Sequence, residues 1–113
     1  MNHRMVRMAW VVVVLAVAVL ALTASTQAQD AGALFQAKCS TCHAADGSGS
    51  TQMGKTLGVP DLRSDDVQKK KDGQLIDAIT NGVGKKMPAY KGKLTDPQIK
   101  DLVGYVRGLA KKT

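Results

Sequence analysis

Cys39-Ser40-Thr41-Cys42-His43 decides how this chain of 113 residues is read. Cys-x-x-Cys-His is the spacing of c-type haem attachment. Thiols three positions apart lie on one side of a helical turn, within reach of the two vinyl groups of one porphyrin, and the adjoining imidazole can reach the iron. Each residue type then has a task. Cys39 and Cys42 supply nucleophilic sulfur for two thioether bonds to haem c, and His43 supplies a nitrogen ligand for its iron.

Other chemistries use the same cysteine spacing: a redox dithiol, half of a zinc site, or a simple disulfide. A structural zinc site needs four ligands, but the chain holds two cysteines, and its other histidine, His3, lies in a segment expected to be removed. A thioredoxin-like dithiol belongs among alternating strands and helices, and no strand-like run follows the first 28 residues. A disulfide across two residues is awkward and leaves His43 without a role. Haem is the favoured reading, with these three as minor alternatives.

Upstream of the motif, His3, Arg4 and Arg7 form a short basic start, Met8 to Leu22 is an uninterrupted apolar run, and Thr26-Gln27-Ala28 offers small residues at a cleavage edge. This is the pattern of a secretory signal peptide, residues 1–28, cleaved after Ala28. The rival is an uncleaved membrane anchor, but the apolar run spans roughly 22 Å as a helix against a hydrocarbon core of about 30 Å. A periplasmic location is expected, or a membrane-anchored one if the signal stays attached.

The remaining domain, residues 29–113, is one folding unit with a thin apolar inventory. Phe35, Tyr90 and Tyr105 are its aromatics, and it carries all 11 glycines. A domain of this size is marginal unless something else fills its centre, and haem, a flat and largely apolar plate, would do so; composition alone also fits a loosely folded helical domain.

Periodicity gives the elements. Ala31 to Cys42 reads as a helix capped by Asp30, with the motif at its C-terminal end. From Ala44 to Lys71 the chain is rich in Gly, Ser, Asp and Lys and reads mostly as loop, with a short turn near Asp65 to Lys70. Asp72 to Asn81 carries Leu75, Ile76 and Ile79 at helical spacing, and Gly82 is placed to end that helix. Thr95-Asp96-Pro97-Gln98 is a capping box with Pro in the first turn, after which Ile99, Leu102, Val103, Val106, Leu109 and Ala110 form one apolar face. Lys111 and Lys112 fall at its C-terminal end, where they favour the helix dipole. Gly104 and Gly108 cost helix propensity, which suggests close packing of this helix on Gly32 and Phe35; the alternative is that they are tolerated at a solvated surface.

The second iron ligand has two candidates in the domain, Met53 and Met87. Thioether sulfur is a known partner of histidine in such sites and raises the reduction potential. Met87 lies in the turn-rich stretch Gly82 to Tyr90 between two helices, which can aim a side chain at a fixed point, whereas Met53 follows His43 by ten residues in a Ser/Gly-rich segment. Met87 is favoured.

The order Gly32-x-x-Phe35, Cys39 to His43, Gly58-Val59-Pro60-Asp61-Leu62, Met87-Pro88-Ala89-Tyr90, Leu94-Thr95-Asp96 and Ile99-x-x-Leu102-x-x-Tyr105-Val106 resembles the small class I c-type cytochromes of bacteria. The resemblance covers essentially the whole domain. It implies an all-α fold, three to four helices and a long loop around one covalently bound haem, with the N- and C-terminal helices crossing. It also implies that the Pro60 carbonyl accepts a hydrogen bond from His43 Nδ1, which would orient the imidazole. Two departures stand out: Val59 separates Gly58 from Pro60, and Asp65 to Lys71 matches no motif, so contacts to the haem propionates are not assigned.

With His43 and Met87 both on iron no position is open to substrate, which favours a one-electron carrier, in a respiratory chain, over an enzyme. The alternatives are a fixed cytochrome subunit of a dehydrogenase or oxidase complex, and a haem enzyme or sensor with an open sixth position. Of the 16 lysines and arginines, Arg4 and Arg7 lie in the signal region, leaving 14 against nine aspartates. Lys85, Lys86, Lys91 and Lys93 flank Met87, and Lys38 and Lys55 bracket the motif. Such a ring would steer docking onto acidic faces of redox proteins or of a membrane-bound oxidase or dehydrogenase; a merely soluble basic surface is the plainer reading. Lys69-Lys70-Lys71 reads as solvated surface. Nucleic acid is not a partner, since no aromatic residues interleave with the lysines. A small-molecule substrate is not expected, and a monomer is.

Overall fold

The computed structural model describes residues 2–110, with side chains for 2–16 and 31–110. Among these residues the backbone forms six helices and no sheet: α1 (His3–Lys38), α2 (Ser40–His43), α3 (Gln52–Leu57), α4 (Asp65–Gln68), α5 (Asp72–Asn81) and α6 (Asp96–Leu109). Pairing of extended backbone is limited to two isolated bridges, Val83 with Met87 and Lys91 with Leu94.

Asp30 is not a cap in this chain. Helix α1 runs through it from His3, because neither Gly nor Pro interrupts the sequence before Gly32. At the other end the expected single helix is two. It breaks at Cys39 (φ −115°, ψ −30°), and Cys42 N–H turns to the Cys39 carbonyl at 3.3 Å. The Ser40 hydroxyl bonds back to the Gln36 carbonyl, a contact of the kind that bends helices.

The segment expected to be mostly loop contains α3 as well as α4. Thr51 Oγ1 accepts the Gly54 N–H at 2.9 Å to start α3, and Gly58 ends it in the left-handed conformation (φ 66°). The turn expected near Asp65 is α4, which buries Val67. Helix α5 has the bounds read from the sequence. So does the start of α6, where Thr95 accepts from Gln98 N–H and Gln98 Oε1 accepts from Thr95 N–H at 2.9 Å. Lys111 and Lys112 lie outside the described residues.

The core forms where α1 packs against α6. Phe35, Leu102, Val106 and Leu109 make one buried cluster, and the Phe35 and Tyr105 rings meet with centroids 5.0 Å apart at 40°. Burying a side chain of this size is worth about 1.5–3 kcal/mol. Gly32 lies against this contact, where a methyl group would sit at ordinary van der Waals distance, 3.4 Å, from Tyr105 Cε2. Gly104 and Gly108 play no such part. Both are exposed, with nothing within 4 Å of where a Cβ would sit, so neither marks close packing of α6.

Among the described residues no helix is long and apolar enough to cross a membrane.

Candidate haem site

The space enclosed by the α1 end, α3, α4, α5 and the inner face of α6 is a cavity of about 560 Å³. Its walls are chiefly apolar: Phe35, Leu62, Val67, Leu75, Ile79 and Val103 are among them. Cys39, Cys42, His43, Pro60 and Met87 all line it. Residues separated by up to 48 positions, from Cys39 to Met87, are thus gathered at one place.

Helix α2 presents the attachment turn. His43 N–H donates to the Cys39 carbonyl at 2.9 Å, closing the turn that sets Cys39, Cys42 and His43 together. The His43 carbonyl in turn accepts Gly49 N–H at 2.8 Å, and Thr51 Oγ1 lies 2.7 Å from the Thr41 carbonyl and 3.2 Å from that of Cys42. Both cysteines are free thiols, half-buried. Burial, and secondarily the neighbouring Cys42, pushes the Cys39 thiol up to about 11. Burial also lowers the His43 imidazole from its ordinary value, which keeps it neutral with a lone pair to give near pH 7.

The hydrogen bond from His43 Nδ1 to the Pro60 carbonyl is not made. Nδ1 is buried with no partner, and the Pro60 carbonyl oxygen lies instead against Gly49, 3.6 Å from where a Cβ on that residue would sit. Pro60 contributes to the cavity wall beside His43.

Met87 sits in a braced loop. Gly82 (φ 76°) turns the chain out of α5 where a Cβ would lie 2.6 Å from the Met87 carbonyl oxygen, and Val83 and Met87 exchange hydrogen bonds of 3.0 and 3.2 Å. Met53, the rival ligand, is 49 % exposed and is not among the lining residues.

Three lysines, Lys38, Lys70 and Lys86, contribute to the cavity lining, so Lys70 belongs to the site although its run of three reads as ordinary surface. Lys55, Lys85, Lys91 and Lys93 are exposed but outside the lining. Arg63 is committed elsewhere: its guanidinium is held by Asp61 through two 3.0 Å bonds and approaches Asp46 at 3.5 Å, and both carboxyls are held below the usual carboxylate range, Asp61 by Arg63 and Asp46 chiefly by its hydrogen bonds to Ser48.

Several supporting residues carry no local sequence signal. Arg107 on α6 donates to the Gln68 carbonyl at 2.7 Å, to the Lys70 carbonyl at 2.5 Å and to Asp72 Oδ1 at 2.8 Å, tying the α4–α5 link to α6. Gln68 Nε2 reaches the Leu62 carbonyl at 2.7 Å and the Val106 carbonyl at 3.1 Å. Tyr90 Oη donates to the Lys38 carbonyl at 3.1 Å. These are pairings across up to 52 positions, visible only once the chain is folded.

The donor set fits haem c. Two thiols on one turn can carry the thioethers, an imidazole whose Nδ1 has no protein partner and a thioether sulfur line the same apolar cavity, and cationic residues at the lining suit the group's carboxylates.

Comparison with known proteins agrees. The family described as cytochrome C oxidase, cbb3-type, subunit III matches residues 26–106. Cytochrome c6 of Leptolyngbya boryana is 38% identical over 81 residues, covering 72% of this chain and 91% of that protein. The cbb3-type cytochrome c oxidase subunit CcoP of Azospirillum brasilense is 32% identical over 88 residues, 77% of this chain but 30% of that subunit. Among solved structures, the KustC0563 c-type cytochrome is similar with a TM-score of 0.65 at 35% identity, covering 69% of this chain and 94% of that one. The chain belongs to the monohaem class I c-type cytochromes, the family that includes cytochrome c6 and the cytochrome domain of cbb3 oxidase subunits.

Proposed function

We propose that this protein is an exported one-electron carrier: residues 1–28 are a signal peptide cleaved after Ala28, and residues 29–113 form a periplasmic domain that holds one haem c and shuttles between redox partners of a respiratory chain. Cys39 and Cys42 hold the haem through thioethers, and His43 and Met87 are its axial ligands. When bound, the haem supplies a one-electron ferrous–ferric couple.

The observation that carries this reading is that Met87 lines the same cavity as Cys39, Cys42 and His43 while Met53 does not. The protein's own part is to hold both ligands still. The turn around His43 and the paired Val83–Met87 backbone restrict each side, so little has to move when the charge of the site changes. The apolar walls exclude water, and the lysines at the lining favour acidic faces of redox proteins or of a membrane-bound oxidase or dehydrogenase.

An optical spectrum of the purified ferric protein and of Met87→Ala tests the assignment. A low-spin wild type with a sulfur-to-iron charge-transfer band that disappears in the variant is the expected result; an unchanged band in the variant rejects Met87. Mass spectrometry of the exported protein tests the processing, and an intact Met1 rejects it.

A second reading, a fixed cytochrome subunit, is favoured by the match to the cbb3 subunit III family. It requires the protein to remain with an oxidase or dehydrogenase in membranes washed with salt, whereas a diffusible carrier is released with the periplasmic fraction.

A further inference from the structure

We propose that Tyr90 is a positioning residue whose hydroxyl fixes the span between the haem-attachment turn and the Met87 loop, and so keeps Met87 on the iron. The inference rests on the reading of Met87 as an axial ligand.

It begins with a helical bond that is not formed. In an unbroken helix the Cys42 N–H would donate to the Lys38 carbonyl, four residues back. Here α1 stops at Lys38 and Cys42 N–H goes to the Cys39 carbonyl. The Lys38 carbonyl, immediately before the first thioether cysteine, takes the Tyr90 hydroxyl instead, at 3.1 Å.

Tyr90 is anchored independently through its backbone. Its N–H donates to the Ile79 carbonyl at 3.0 Å, in α5, and its own carbonyl accepts Lys93 and Leu94 N–H at 2.9 and 3.0 Å. Lys91 N–H adds a bond to the Thr80 carbonyl at 2.9 Å. The backbone therefore pins the loop to α5, and the hydroxyl ties it to α1. Two residues, Pro88 and Ala89, separate Tyr90 from Met87, and Pro88 stiffens the link. Tyr90 also lines the cavity with Cys39 and Met87, so the strut bridges the two sides that a haem would hold in common.

Tyr90→Phe removes the tie to Lys38 while leaving the ring and every backbone bond of the loop. Tyr105→Phe is the control, because Tyr105 lies outside the cavity lining and its hydroxyl meets Gln36 Nε2 at 3.5 Å. The experiment uses the haem-loaded ferric protein with imidazole as the probe, following the loss of the sulfur-to-iron band as imidazole displaces methionine. Displacement should be roughly three- to tenfold faster in Tyr90→Phe, the scale of one lost hydrogen bond, and unchanged in Tyr105→Phe. A wild-type rate in Tyr90→Phe with the band intact overturns the inference while leaving Met87 as ligand. Equal acceleration in both variants also overturns it, since that marks general loosening. A wild type with no such band overturns the inference together with the ligand assignment beneath it.

Discussion

The α-carbon of Gly54 is stacked against the carbonyl oxygen of Cys42, so that a Cβ at that position would overlap the oxygen. Helix α3 can approach the attachment turn only because residue 54 has no side chain. The Gly49 carbonyl oxygen, 2.5 Å from the same point, closes the other side. Both obstacles are backbone and cannot swing aside.

Gly54→Ala must therefore displace α3 or the turn that presents Cys42 and His43. The expected cost is about 1–3 kcal/mol, the scale of overpacking in a close-packed interior. A haem-stained gel and thermal melts of the variant check it. Unchanged haem yield and melting temperature would contradict the tight contact.

Helix α6 offers two opposite responses. Leu102, 1 % exposed within the Phe35 cluster, should lose about 2–5 kcal/mol on truncation to alanine. Gly104, two positions away and facing open space, should gain up to about 1 kcal/mol on the same replacement, because alanine is the better helix former and meets nothing. Denaturant midpoints of the two haem-loaded variants should move in opposite directions.

Acid should attack the site from a lowered starting point. Burial holds the His43 pKa below its ordinary value of 6.5, so the folded state takes up this proton less readily than the unfolded chain. Stability from this residue is therefore complete above pH 6.5 and declines as pH falls from there toward the folded-state value. Denaturant midpoints measured against pH should be flat above 6.5 and fall below it. A midpoint that does not change as pH falls below 6.5 would contradict the contribution of this residue.

Arg107 predicts a local effect. Arg107→Met keeps much of the side-chain bulk but removes the bonds to the Gln68 and Lys70 carbonyls and to Asp72. About 1–3 kcal/mol should be lost, the scale for hydrogen bonds to a charged group discounted for partial exposure. Amide exchange should rise first across α4 and the start of α5, rather than uniformly.

What the sequence disclosed follows from how each element is specified. Helices α5 and α6 are written locally, in the Gly82 stop and in the Thr95–Gln98 box followed by a regular apolar face, so both bounds of α5 and the start of α6 were legible. Helix α3 is six residues, too short to display a period; its signals were the cap Thr51 and the terminator Gly58. The break at Cys39, beside the Ser40 hydroxyl bonded back to Gln36, is a choice between local bonds that residue patterns do not resolve. Cys39, Cys42 and His43 stand together as a motif, and the turn-rich setting singled out Met87, which lines the same cavity. Tyr90, Gln68 and Arg107 were not, because their partners are distant in the chain. The two glycines of α6 misled for a physical reason: propensity records a cost without saying which face bears it.

Lys38, Lys70 and Lys86 reach the cavity from three separate parts of the chain. With haem bound, their charges would act on the electron as well as on an approaching protein. Fixed positive charge beside a low-dielectric pocket favours whichever state carries the additional negative charge. Each of these lysines thus weights the site toward its reduced form, and neutralising them one at a time would lower the midpoint potential in steps. A surface basic enough to draw an acidic partner would, by the same charges, set the force with which an electron is held.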